Sequence, residues 1–279
     1  MRIAVDMMGG DHAPQEIIMG TLAAARTYLN HNFILVGKKE ALGNYQLPNN
    51  VSYVAAEQVM AMDESVENLR KKRDSSIWVA TKLVKDGKAE GIISAGSTGA
   101  QMAAATLPLG RIKGIDRPAI ALVLPTLKGG KLVLDAGANV EVKPEQYVQF
   151  ARMGSLYMQK IYQIASPKVA LLSNGTEPCK GTETVVAAHQ LLEKEPIHFI
   201  GNLEGRDIPF GEYDVLVCDG FTGNVVLKLA EGLSKALFSQ IKEEMSKTFL
   251  RKVGASLVLP GLKEIKKQFD YKEHGGAPL

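Results

Sequence analysis

The stretch Arg2-Ile3-Ala4-Val5-Asp6, running on into Met7-Met8-Gly9-Gly10-Asp11-His12-Ala13-Pro14, decides the class of fold. Ile3, Ala4 and Val5 are apolar at consecutive positions, as in a strand covered on both faces. Small and polar residues follow, and Pro14 is well placed to start a helix. Strand, small-residue loop and helix together form the repeating unit of a parallel α/β sheet. The same succession recurs along the chain. Strand patterns fall at 33–37, 91–94, 119–124, 132–135, 169–173, 198–201 and 215–219. Helical patterns fall at 14–29, 63–69, 75–85, 98–109, 144–164, 183–193 and 222–249. This alternation predicts an α/β fold with a mostly parallel sheet and helices on both sides. The 119–124 and 132–135 runs flank Lys128-Gly129-Gly130, which reads as a hairpin, so the sheet is expected to be mixed.

A length of 279 residues suits one large α/β domain or two smaller lobes sharing a sheet. The expectation taken here is one catalytic domain over 1–279, with 236–269 as a projecting basic amphipathic segment. With 46% hydrophobic and 23% charged residues, the composition is that of an ordinary globular protein, which excludes disordered and collagen-like classes. A net charge of +3 is too small to argue for nucleic acid as a partner. Two cysteines are too few for a disulfide framework or a four-cysteine zinc site, and the five histidines show no metal-ligand spacing. No metal or cofactor is expected. The first residues lack a signal peptide's apolar core, and no apolar run approaches the ~20 residues of a membrane span, so a reducing cytoplasm is the expected location.

In open α/β sheets, ligands bind outside the carboxyl ends of the strands. Here the strands end in Asp6-Met7-Met8-Gly9-Gly10, Ser94-Ala95-Gly96-Ser97-Thr98-Gly99, Asp135-Ala136-Gly137-Ala138-Asn139, Asn174-Gly175-Thr176-Glu177 and Asp219-Gly220-Phe221-Thr222-Gly223-Asn224. Small residues let the backbone approach a ligand, and free N–H groups at a helix start favour an anion. One such loop is ordinary turn chemistry; several together describe a polar rim suited to a phosphate-type ligand. A dinucleotide G-x-G-x-x-G after the first strand, a P-loop and a G-x-S-x-G elbow are all missing from the sequence. Cys218 reads as a small apolar filler, and Cys179 sits on a polar loop without a nearby base. Arg70, Lys71, Lys72 and Arg73 close one helix before Asp74-Ser75-Ser76. They read either as a solvated helix end or as a docking patch for an acidic partner. Arg111, Lys113 and Arg117 share a glycine-interrupted loop that suits a phosphate or acidic group.

Taken together, these loops resemble the phosphate acyltransferase family of bacterial phospholipid synthesis, the acyl-carrier-protein:phosphate transacylases. The matching stretches are 6–14, 62–65, 70–76, 94–100, 110–118, 135–139, 175–181, 201–207, 219–224 and 270–279, in the family's order. The run Gly110-Arg111-Ile112-Lys113-Gly114-Ile115-Asp116-Arg117-Pro118 is the most specific of them. Ser97 departs from the family's usual Asn, and Pro178-Cys179 from a more usual Glu-Gly. The sequence ends at Gly275-Gly276-Ala277-Pro278-Leu279, where the family continues with a strand and a small polar motif.

The resemblance implies transfer of a long acyl chain from the carrier's thioester to inorganic phosphate, giving acyl phosphate. It implies a three-layer α/β/α sandwich similar to isocitrate and isopropylmalate dehydrogenases, usually as a homodimer. Phosphate is largely ionised near neutrality, and a thiol with a pKa of ~8.5 leaves readily, so the site needs an anion cradle, an oxyanion donor and exclusion of water. On this reading Gly96, Ser97, Thr98 and Gly99, helped by Lys180, hold phosphate, and Asn139, Asn224 or His12 donates to the oxyanion. Asp6 and Asp219 orient these donors or take a proton, with helix capping as the plainer alternative. Arg70, Lys71, Lys72, Arg73, Arg111, Lys113 and Arg117 would receive the acyl carrier protein. The basic, apolar segment 236–269 is either a helical hairpin at a dimer interface or a peripheral membrane contact through Leu257, Val258 and Leu259. Competing readings are a short-chain phosphotransacylase using coenzyme A, a membrane-bound scaffold with an inactive site, and a redox role resting on fold analogy alone.

Overall fold

The structure, a computed structural model, describes residues 1–268 and 276–279. The chain divides into two compact units, Met1–Pro118 and Ala119–Leu279. In the first, the strands β1 (Arg2–Asp6), β2 (Asn32–Gly37), β3 (Val51–Ala55) and β4 (Gly91–Ser94) form a sheet of order β3-β2-β1-β4. Every pairing in it is parallel. Alternation along β1 serves two faces. Val5 and Met7 pack with Ile18, Leu22 and Ala25 of α1 (Gln15–Thr27), while Ala4 packs with Ala80 and Leu83 of α2 (Ser76–Lys85). Burying a side chain such as Ile18 or Leu35 completely contributes about 1.5–3 kcal/mol, so the layers are held by these few stripes. Ile77 of α2 also meets Ala100 and Ala104 of α3 (Thr98–Ala104), which places α3 directly after β4.

In the second unit, β5 (Ile120–Thr126), β6 (Gly129–Leu134), β7 (Lys168–Ser173), β8 (His198–Glu204), β9 (Val215–Val217) and β10 (Gly276–Pro278) form a sheet of order β10-β5-β6-β9-β7-β8. β5 and β6 make the expected antiparallel hairpin, with Thr126 opposite Gly129. β6, β9, β7 and β8 are parallel neighbours. One face packs on α4 (Pro144–Ile161) and α5 (Glu183–Leu192), through Leu134, Leu171 and Val217 against Phe150, Ala151 and Leu192. The other carries Val133, Ala170 and Leu216 against Val226, Leu227 and Ala230 of α6 (Gly220–Ser246). The α/β class and the mostly parallel, mixed pairing stand as the sequence predicts.

Several details differ from expectation, each for a local reason. β3 was not anticipated because Val51-Ser52-Tyr53-Val54-Ala55 is an edge strand with only Val51 buried, so it lacks a consecutive apolar run. The 63–69 pattern becomes a 3₁₀ turn over Val66–Arg70. Residues 98–109 split into α3 and a π-helical turn, Ala105–Leu109, in which Pro108 cannot donate the usual helical bond. The 222–249 helix ends at Ser246, and a separate α7 (Phe249–Gln268) follows. Of the stretches carrying the resemblance, 270–275 lies outside the described residues, as does Phe269 of the basic segment.

Candidate active site

Parallel pairing of β1 with β4 sets Asp6 opposite Ser94 at the carboxyl ends of two neighbouring strands. Asp6 is buried, and its Oδ2 accepts from the Ser94 hydroxyl at 2.7 Å while its Oδ1 accepts from the Met8 N–H at 3.2 Å. Ser94 Oγ in turn accepts from the Gly96 N–H at 3.0 Å. Any side chain at position 9 would break this join, because a Cβ on Gly9 would sit 2.5 Å from Asp6 Oδ2 and 2.9 Å from Gly96 N. Asp6 thereby orients the two glycine loops toward one another. Ser97 caps α3, its Oγ accepting from Ala100 N–H at 3.3 Å. The Gln101 amide donates back to the carbonyls of Ser94 (3.3 Å) and Gly96 (2.9 Å). The N–H groups of Ser97, Thr98 and Gly99 stand at the helix start, where no preceding turn supplies acceptors. His12 is exposed on the turn before α1.

The basic residues of this unit separate into two kinds. Lys72 is tied into the structure: its ammonium donates to Glu64 Oε2 at 2.7 Å and to the Val59 carbonyl at 2.9 Å. That ammonium, with the Ala61 N–H, holds the Glu64 carboxyl below its ordinary range. Arg73 lies over the Trp78 ring, 5.9 Å from its centroid. Arg70 and Lys71 are exposed, as are Lys113 and Arg117, and the Arg111 guanidinium donates to the Asp116 carbonyl.

In the second unit the loop after β6 is organised by a single carboxylate. Asp135, fully buried, accepts at Oδ1 from the N–H groups of Ile120 (3.0 Å), Gly137 (3.1 Å) and Ala138 (2.9 Å). Its Oδ2 accepts from both the main chain and the side chain of Asn139 at 2.7 Å. The N-terminus of α6 lies flat on this loop. Gly220 N–H donates to the Asn139 carbonyl at 2.7 Å, and a Cβ on Gly223 would collide with the Asp135 carbonyl oxygen and stand 3.0 Å from Cys218 Sγ. Asp219 caps the helix, taking the Thr222 N–H at 2.8 Å and the Thr222 hydroxyl at 2.7 Å. The Tyr147 hydroxyl reaches the same carboxylate at 3.4 Å. Burial, then the Asp219 charge, pushes that phenol up; burial likewise pushes the Cys218 thiol up. Asn224 is exposed on the first turn of α6 and lies against Gly137.

Beyond β7, Ser173 Oγ donates to the Lys180 carbonyl at 3.0 Å, and the Lys180 N–H donates to the Glu177 carbonyl at 3.0 Å. The aliphatic stem of Lys180 passes over Gly175, leaving the residue exposed beside Cys179. Farther on, α6 and α7 enclose a groove of about 490 Å³ in which Phe238, Ile241 and Leu262 lie among Lys242, Lys252 and Lys263. Leu257, Val258 and Leu259 of α7 are 80%, 49% and 45% exposed. Among the described residues no cluster suited to a metal ion occurs, and no helix is long and apolar enough to cross a membrane.

A family model described as "Fatty acid synthesis protein" matches residues 1–279. Phosphate acyltransferases from Desulfitobacterium hafniense (strain Y51) and Heliobacterium modesticaldum are 57% and 54% identical to the chain, which aligns over 100% of its own length and 85% of theirs. The chain belongs to this phosphate acyltransferase family. It is therefore an acyltransferase. A phosphotransacetylase from Streptococcus pyogenes has a related fold, with a TM-score of 0.60 at 18% identity over 84% of this chain and 82% of that one. A branched-chain phosphotransacylase from Enterococcus faecalis follows at 0.53 and 18%, over 81% and 83%.

Sequence reasoning singled out these loops but not all the contacts that shape them. Asp135 was read only as a strand end, although an Asp followed by Gly137, Ala138 and Asn139 is a pattern in which one carboxylate can collect several N–H groups. Ser94 and Gln101 left no local signal, because their partners are set by strand pairing and by one turn of helix.

Proposed function

We propose that this acyltransferase moves a long-chain fatty acyl group from the thioester of acyl carrier protein to inorganic phosphate, supplying acyl phosphate for phospholipid synthesis. The observation that carries the reading is 57% identity over the whole chain to a protein named phosphate acyltransferase. A phosphate oxygen attacks the thioester carbonyl carbon, a C–O bond forms, the C–S bond breaks, and the carrier leaves as thiolate to be protonated by solvent. A phosphate monoanion or dianion is already nucleophilic near neutrality, so positioning matters more than deprotonation. Cys218, with its thiol pushed up by burial, is no candidate for an acyl-enzyme nucleophile.

In the first unit, the amides of Ser97, Thr98 and Gly99 form the phosphate cradle; Gly96, its N–H held by Ser94, leaves the approach open, and Asp6 fixes the shape through Ser94. In the second, exposed Lys180 supplies positive charge and Asn224 an amide donor for the developing oxyanion. Asn139, whose amide is bonded to Asp135, shapes the Asn224 platform, and Asp219 serves as its helix cap. His12 is the alternative donor. Arg70, Lys71, Arg73, Arg111, Lys113 and Arg117 would meet the acidic carrier, with Lys72 acting through its bond to Glu64.

Two assembly features belong to the same proposal. Phe221, Val225, Leu229, Leu233 and Leu237 recur every fourth residue on α6 and are 49–62% exposed, an apolar band that winds about the helix and offers surface to a homodimer partner. The exposed Leu257, Val258 and Leu259, flanked by lysines, suit peripheral contact with an anionic membrane from the cytoplasmic side.

The test is direct. Purified protein is incubated with palmitoyl-acyl carrier protein and phosphate, and free carrier thiol is measured alongside acyl phosphate. Matching, phosphate-dependent release of both is expected. Turnover of acetyl-coenzyme A in preference to the acyl carrier thioester would replace the reading with a short-chain phosphotransacylase.

A further inference from the structure

His189 of α5 is 3% exposed, its ring edge-on to Phe199 with 5.1 Å between centroids. A polar ring so deeply placed needs a partner, and its Nδ1 lies 2.8 Å from Asn202 Oδ1 on β8. The other end of the same amide, Asn202 Nδ2, donates to the Glu177 carbonyl at 2.8 Å. With Nδ2 committed to a carbonyl, Oδ1 faces the imidazole, so Nδ1 is the protonated, donating nitrogen. The Glu177 carbonyl is also the acceptor for the Lys180 N–H at 3.0 Å, while the Lys180 carbonyl is held by Ser173 Oγ at 3.0 Å. The peptide groups on both sides of Lys180 are therefore fixed, and one anchor runs back through Asn202 to a buried imidazole.

The strand carrying Asn202 is shaped for this contact. Val169 pairs with Phe199, but Leu171 pairs with Asn202, so β8 holds one extra residue at this point. Gly201, at φ +93°, supplies the left-handed backbone conformation in that bulge. A bulge re-aims the side chains that follow it, and the residue it re-aims here is Asn202.

We infer that His189 and Asn202 are positioning residues for Lys180, holding the 174–181 loop so that its ammonium is presented to an anionic substrate. This rests on the role given to Lys180 above. An ordinary packing role for His189 would affect stability alone. A positioning role acts through Lys180, and the two differ in a double-mutant cycle.

The experiment measures phosphate-dependent thiol release from palmitoyl-acyl carrier protein, with KM for phosphate and kcat separated, in H189L, N202A, H189Q and K180A and in each of the first two combined with K180A. H189L and N202A are expected to lower kcat/KM for phosphate by about tenfold, and to change it less than about twofold when Lys180 is already Ala. H189Q, which keeps an N–H facing Asn202, should recover most of the loss. Amide exchange of peptide 174–181 should quicken in N202A, a readout that needs no catalysis. Equal losses with and without Lys180, or unchanged exchange in the loop, would overturn the inference while leaving Lys180 in place. Near-normal activity of K180A would instead remove Lys180 from the site, and this inference with it.

Discussion

Asn139 meets Asp135 twice: its main-chain N–H and its side-chain nitrogen both lie 2.7 Å from Asp135 Oδ2. That double bond to one buried oxygen separates two asparagines that look alike in sequence. Asn139 is 6% exposed and holds the loop; Asn224 is exposed and leans on that loop at Gly137. The structure thus gives one a scaffold role and leaves the other available to a ligand.

The first prediction follows from this division. Asn224→Ala should leave the melting temperature nearly unchanged while depressing turnover at least about tenfold, roughly 1.4 kcal/mol of transition-state stabilisation. Asn139→Ala should lower both together, since it leaves a buried carboxylate oxygen short of a donor at a cost of about 1–3 kcal/mol. Thermal melts run beside the thiol-release assay check both. Full activity in Asn224→Ala would take the residue out of the oxyanion role.

Such a division was beyond the sequence for a physical reason. Consecutive apolar runs and clustered Gly, Asp and Asn mark strand, loop and helix, and so the α/β class and the polar loops at the strand ends were legible. Which amide is captured by which carboxylate depends on geometry four residues apart inside a folded loop. Strand partners are harder still: Asp6 bonds Ser94 across 88 positions, and His189 reaches Asn202 only because a bulge turns it inward. The Glu64 that claims Lys72 also gave no sign, since a basic run reads the same whether solvated or bonded. Edge strand β3 was missed because it buries little, and apolar patterning reports burial rather than pairing.

Gly223→Ala sets two effects against each other. Alanine favours a helix over glycine by about 1 kcal/mol. At this position, however, its methyl would fall on the Asp135 carbonyl oxygen, which is backbone rather than the end of a flexible side chain. Overpacking of this kind costs about 1–3 kcal/mol, so the clash should win. The variant is expected to melt lower than the parent, and a rise in melting temperature would show that α6 can slide off the loop without penalty.

The response to pH has a definite sign. The folded state raises Cys218, Tyr147 and Tyr213 above their ordinary values, in each case first through burial. Groups raised on folding stabilise the protein below their unfolded pKa and lose that contribution as pH climbs toward the folded value. Stability should therefore begin to fall above the ordinary thiol value of 9.0 and fall further past the phenol value of 10.0. On the acid side, Glu64 is lowered by its bond to Lys72, and its contribution is lost as pH drops below the usual carboxylate range. Thiol titration gives an independent check: at pH 8 an aromatic disulfide reagent should find exposed Cys179 in the native protein, and both cysteines only after denaturation. Rapid labelling of two thiols in the native state would contradict the burial of Cys218.

The exposed middle of α7 makes the last prediction quantitative. Leu257 is 80% exposed and Leu259 45%, each an apolar side chain held in water by a helix whose neighbours include Lys252 and Lys263. An interface that accepts the leucines and attracts the lysines would relieve both conditions, at roughly 1 kcal/mol per lysine close to an anionic surface. In flotation with vesicles containing anionic lipid, Leu257→Glu and Leu259→Glu should each reduce the bound fraction, and the pair should abolish it. Lys252→Gln with Lys263→Gln should weaken binding mainly at low salt, because charge attraction is screened while apolar contact is not. The two kinds of variant thus report different halves of one contact. Binding untouched by both glutamates would assign the leucines to a protein interface instead.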